Sequence, residues 1–103
     1  MNIVPRTIQK SAGAQPNITP ARIGPFIGPA AAIAEKNDFT LFLESLNTHV
    51  DHACYYLDSS SEGAEIVREI GSPNLRLLYD VYHMQIMERN IIANIEKNID
   101  VIG

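Results

Sequence analysis

Residues 75–88, LRLLYDVYHMQIME, decide how this 103-residue chain reads. Over 75–80 the side chains alternate, with Leu75, Leu77 and Tyr79 on one face and Arg76, Leu78 and Asp80 on the other. That period of two predicts a strand. It ends on an acid, Asp80; a histidine, His83, follows on the loop leaving it, and then a methionine-rich run. Residues 39–47, FTLFLESLN, repeat the design. Here Phe39, Leu41 and Leu43 alternate with Thr40, Phe42 and Glu44, so a second strand over 39–44 also ends on an acid. Both faces are largely apolar, as in a parallel sheet covered on both sides.

The segment between the strands supplies a crossover. Residues 45–57 form a loop of mixed polarity carrying Asn47, His49, Asp51, His52 and Cys54. Ser59, Ser60 and Ser61 are candidate N-caps, with Glu62 in the first turn where the helix dipole favours an acid. Ala64, Val67 and Ile70, with Ile66, make the apolar stripe of a helix over 61–70, which Gly71 stops before Pro73. After the second strand, Asn90 can cap a last helix with the stripe Ile92, Ile95 and Ile99, and a further strand is expected to start at Ile102. Ahead of the first strand, AAAIAEK at 30–36 suits the last turns of a helix. Residues 1–29 hold five of the six prolines, a density that predicts an irregular extension with no continuous helix, disordered or docked through Ile18, Ile23, Phe26 and Ile27.

The order is therefore α–β–α–β–α, an α/β pattern with right-handed crossovers in a parallel sheet. Two strands are too few to close a barrel. The chain reads as a piece of something larger: 1–29 an extension, 30–103 about two βα units.

Composition excludes several classes. A net charge of −4, with no basic stripe, argues against nucleic acid as a partner. No apolar run is long enough to span a membrane, and the two early basic residues, Arg6 and Lys10, have no apolar run of a secretory signal behind them. A single cysteine, Cys54, forms no internal disulfide, which suits the cytoplasm; it reads as a small buried apolar residue. No glycine-rich phosphate loop occurs.

Glu44 and Asp80 stand at the C-terminal ends of neighbouring strands, on the face with fewer large aliphatics. That end carries the active site in (β/α)8 barrels, and two carboxylates there can share a hard divalent cation. Spacing alone suits solvated strand-end acids as well, and a surface histidine at 83. His49, Asp51 and His52 lack the helical His pair or cysteine pairs of the strong zinc patterns.

The run D-x-Y-H-M-Q at 80–85, with REIGSPN before it and LESLNTHVDHACYYLDS at 43–59, resembles the hydroxypyruvate isomerase group of the xylose-isomerase-like TIM barrels. The likeness extends over 30–103, with none evident in 1–29. It implies a fragment of a (β/α)8 barrel whose family interconverts an aldose or hydroxy-aldehyde with its ketose in carbohydrate metabolism. The cofactor implied is a divalent metal, Mg²⁺ or Mn²⁺. By that resemblance Glu44 is a metal ligand and one of two catalytic glutamates, Asp80 a second ligand, and His83 a substrate contact. The implied chemistry is proton transfer next to a carbonyl, with the metal polarising substrate oxygens.

Departures from the family pattern are Ser45 where proline is usual, His49 where arginine is common, and Arg89-Asn90 where Gly-Asp is usual. A positive φ at that glycine position would strain Arg89. Further ligands, including the second glutamate, are expected on strands beyond Gly103, as in a truncated member inactive alone. A ketose 3-epimerase of the same superfamily and a non-catalytic chain that self-associates through exposed strand edges are the alternatives. An endonuclease on the same barrel would want histidine ligands for zinc and a basic groove, and neither is present.

Overall fold

Two short alternating runs of leucine build the centre of the molecule. A computed structural model describes residues 2–3 and 20–103, with side chains from residue 25. Leu41 and Leu43 lie on strand β2 (Leu41–Glu44), Leu75 and Leu77 on β3 (Leu75–Leu78), and all four are at most 2% exposed. The strands run parallel, with Leu43 beside Leu77 and Glu44 beside Leu78. A two-residue strand, β1 (Asn2–Ile3), pairs parallel with β2 on the other side, giving the order β1-β2-β3. At the free edge of β3, Leu77 forms a parallel bridge to Ile102, where the sequence predicts the next strand to begin.

Among the described residues four helices follow the alternation: α1 (Pro20–Lys36), α2 (Ser60–Ile70), α3 (Val81–Met87) and α4 (Ile91–Asn98). The leucines of β2 and β3 form one buried cluster with Ile27, Ala31 and Ala34 of α1 and Ala64, Ile66 and Val67 of α2. Packing of α2 on the sheet is close at Gly63, where a Cβ would lie 2.7 Å from Leu77 Cδ1 and 2.9 Å from Ser45 Oγ. The ends of α2 agree with the sequence. Ser59 is the N-cap and its hydroxyl accepts from the Glu62 amide, while Gly71 closes the helix at φ 67°.

Three expectations are corrected. The first concerns 1–29: residues 4–19 lie outside the described residues, but α1 begins at Pro20, ten residues before the expected helix, and contains Pro25 and Pro29. Pro20 is at the first helical position, where its missing N–H costs nothing. Pro25 and Pro29 are four residues apart, hence on one face, and both are exposed. Water can therefore satisfy the carbonyls they leave unpaired, while Ile27, Ala31 and Ala34 bury the opposite face. Of the proposed docking residues, Ile18 and the side chain of Ile23 lie outside the described residues; Ile27 is buried, whereas Phe26 is 63% exposed.

The second correction lies after β3. The segment read as a loop is α3, with Asp80 as its N-cap in an extended conformation, accepting the Tyr82 amide at 2.9 Å. In α4 the stripe is rotated: Ile92 and Ile99 are 75% and 62% exposed, and Asn98 is the fully buried residue. Asn90 occupies the N-cap of α4 but makes no side-chain cap bond. Third, Cys54 is exposed, not buried. It sits at φ 72° in a turn closed by the Tyr55 amide on the His52 carbonyl, which turns its side chain away from the core.

Arg89 does adopt the strained backbone its substitution for glycine implied, at φ 69°. Its amide closes the end of α3 on the Met84 carbonyl. A left-handed conformation costs a non-glycine residue roughly 1–2 kcal/mol. Arg89→Gly is therefore expected to raise the unfolding free energy by about 1 kcal/mol in urea titration, after the entropy glycine adds to the unfolded chain.

Candidate active site

Parallel pairing brings the C-terminal ends of β2 and β3 to one edge of the sheet. The leucines point at the helices, so Phe42 and Glu44 of β2, with Arg76 and Leu78 of β3, share the opposite face. Asp80 continues that face two residues past the end of β3 and turns the chain into α3. One turn on, His83 is carried back over the strand ends and is 8% exposed. It is therefore a buried helical residue, not a surface loop histidine.

Glu44, Asp80 and His83 converge. One carboxylate oxygen from each acid and a ring nitrogen of His83 all lie within 4.8 Å of one another. His83 Nε2 is 3.9 Å from Glu44 Oε2 and 3.8 Å from Asp80 Oδ2, close but beyond direct hydrogen bonding. Burial holds the Glu44 carboxyl above its ordinary value, helped by the charge of Asp80 and a hydrogen bond shared with it. Two facing carboxylates, one already costly to ionise, are a donor set that a hard divalent cation would relieve. Such an ion takes about six oxygen ligands, and Glu44 and Asp80 can supply two.

Behind His83 lies a polar network with no counterpart in the reading of spacings. Asn47, fully buried, accepts at Oδ1 from the amides of Val50 (3.1 Å) and Asp51 (2.9 Å). Its Nδ2 lies 2.9 Å from Asp51 Oδ2 and 2.8 Å from His83 Nδ1, and its backbone N–H donates to the same Nδ1 at 3.2 Å. The Tyr82 hydroxyl donates to Asp51. That bond, then the one from Asn47, holds the Asp51 carboxyl below its usual value. The rings of Tyr82 and His52 stand edgewise to His83, with centroids 5.2 and 5.4 Å away. Thus Asp51 and His52 serve the surroundings of His83, and His49 is exposed; among the described residues the one group with metal-ligating geometry is Glu44, Asp80 and His83. At Ser45, where the family pattern has proline, the hydroxyl donates to the Ser59 carbonyl at 2.8 Å and closes the loop base.

A family model described as xylose isomerase-like TIM barrel matches residues 6–103. The chain belongs to the xylose isomerase-like TIM barrel family. The match extends well into 1–29, the segment that showed no resemblance to the family; α1 begins there, and its Ile27 joins the buried cluster of the strand leucines. A putative hydroxypyruvate isomerase from Homo sapiens is 35% identical over 74 residues, 72% of this chain and 27% of that protein. Hydroxypyruvate isomerase from Escherichia coli is 32% identical over 74 residues, 72% of this chain and 28% of that one. A crystal structure of D-psicose 3-epimerase in the presence of D-fructose superimposes with a TM-score of 0.72 at 25% identity, covering 90% of this chain and 32% of that one. The chain thus spans little more than a quarter of these curated relatives, and its fold is a segment of the xylose isomerase-like barrel. No helix among the described residues is long and apolar enough to cross a membrane.

Proposed function

We propose that this chain forms one edge of an isomerase active site, with a divalent cation, Mg²⁺ or Mn²⁺, held by Glu44 and Asp80. One observation carries this: two acids and His83 Nε2 converge where adjacent parallel strands end. When bound, the cation supplies Lewis-acid polarisation of the substrate oxygens. Glu44, whose carboxyl has a raised affinity for protons, takes the proton from the hydroxyl-bearing carbon next to the carbonyl, the electron pair passing to the carbonyl oxygen. The proton then returns to the former carbonyl carbon as the hydroxyl proton passes to the other oxygen. His83 faces a substrate oxygen from the wall formed by α3. The substrate is a small hydroxy-carbonyl compound of the hydroxypyruvate kind, in line with the names of the curated relatives. The D-psicose 3-epimerase likeness favours a second reading, proton transfer at C3 of a ketose.

Proton abstraction is visible without turnover. With Mn²⁺ in D2O, proton NMR follows deuterium entering hydroxypyruvate, or D-fructose at C3, next to the carbonyl. Exchange above the Mn²⁺ buffer rate, lowered at least ~100-fold in Glu44→Gln, is expected. Exchange on fructose alone would select the epimerase reading, and exchange equal to buffer with both compounds would contradict the proposal.

A further inference from the structure

The hydrogen bonds of Asn47 decide where the proton sits on His83. Asn47 Oδ1 is taken by two backbone amides, which can only donate, so the side-chain amide has one possible orientation. Nδ1 of His83 then meets two N–H donors, the Asn47 side chain and its backbone amide. A ring nitrogen that meets donors must accept, so in the neutral ring the proton is on Nε2, the atom facing Glu44 and Asp80. A histidine that ligates metal through Nε2 has the reverse arrangement, with Nδ1–H donating to an oxygen. Geometric convergence alone would count His83 as a third metal ligand. Its hydrogen bonds give it a different role.

We propose that Asn47 is a positioning residue that locks His83 in the Nε2–H tautomer, making it a hydrogen-bond donor to substrate and keeping it out of the metal's ligand set. The consequence for substrate rests on the function proposed above; the tautomer itself does not. Asp51 supports Asn47 from behind: its carboxylate accepts from Nδ2 and from Tyr82, and its amide holds Oδ1. A loop residue and a helix residue are thereby tied to one ring. The network also explains why His83 can be buried with both nitrogens near polar groups.

The test is long-range ¹H–¹⁵N NMR on the ¹⁵N-labelled, metal-free chain in mildly alkaline buffer, with His83 assigned by comparison with His83→Gln. Wild type is expected to show the proton on Nε2 and a bare Nδ1. In Asn47→Asp, a carboxylate replaces the amide donor, and the charge-assisted bond it accepts outweighs the long backbone bond, so the proton moves to Nδ1. In Asn47→Ala only the backbone donor remains, and a mixture of tautomers is expected. An Nδ1–H proton in wild type overturns the proposal without any variant. So does an unchanged tautomer in Asn47→Ala with a folded spectrum; if that variant does not fold, Asn47→Ser is read in the same way. Because the protein is metal-free, failure of the metal site and failure of this inference are separate results.

Discussion

Glu88→Ala is expected to lower stability by about 2–4 kcal/mol, seen as a fall in Tm of roughly 10–20 °C for a chain of this size. Glu88 ends α3, and its carboxylate reaches the first turn of α2. There it accepts from the Ser60 amide at 2.6 Å and the Ser60 hydroxyl at 2.7 Å, and also from Asn94 Nδ2 of α4 at 3.2 Å. Ser60 is 1% exposed, so removing the carboxylate strands two buried donors that water does not reach. The negative charge also sits at the positive end of the α2 dipole. Glu88→Gln keeps an acceptor without the charge and should lose about half as much. Urea unfolding of the three proteins checks the order, and a Glu88→Ala chain within about 0.5 kcal/mol of wild type would contradict it.

Glu44→Gln and Asp80→Ala are expected to move stability in opposite directions, although each removes a carboxylate of the proposed cation site. The folded-state pKa of Glu44 lies above its ordinary 4.5. Its contribution to stability is therefore complete below that value and lost as pH rises through the folded one. At neutral pH an ionised Glu44 beside Asp80 is a cost, and glutamine removes it. The variant should melt a few degrees above wild type at pH 7, with the gain vanishing in acid. Asp80 has a second task, accepting the Tyr82 amide as N-cap of α3, so alanine there costs about 0.5–2 kcal/mol. Melting curves from acid to neutral pH separate the two; a Glu44→Gln chain less stable than wild type at pH 7 would refute the account of its environment. The same raised affinity for protons predicts that cation binding weakens as pH falls toward the Glu44 pKa.

How far the sequence could be read follows from the kind of signal each element carries. Strands β2 and β3 show period-two leucines on the face that the helices bury, while the other face, which its apolar content also marked for cover, is only partly buried. Helix α2 has both of its caps in the flanking residues Ser59 and Gly71. Their acids were legible because a strand end is a local feature. Helix α1 was hidden because proline density is judged locally, whereas the tolerance of Pro25 and Pro29 depends on their sharing the exposed face. Helix α3 carries a usable signal that the strand pattern masks: Asp80, which closes the period-two run, is an N-cap before an apolar run. The burial of Asn98 and exposure of Ile92 in α4 run against residue type, and hydropathy could not show them. Asn47 is legible only in three dimensions, since the atoms it bonds belong to residues 3, 4 and 36 positions away.

The central claim is that Glu44 and Asp80 together hold a divalent cation, and calorimetric titration of Mn²⁺ into the purified chain tests it most directly, beside a Glu44→Ala, Asp80→Ala double variant. Micromolar binding by wild type that disappears in the double variant is the predicted result. No heat with wild type, or the same weak binding in both proteins, would contradict it.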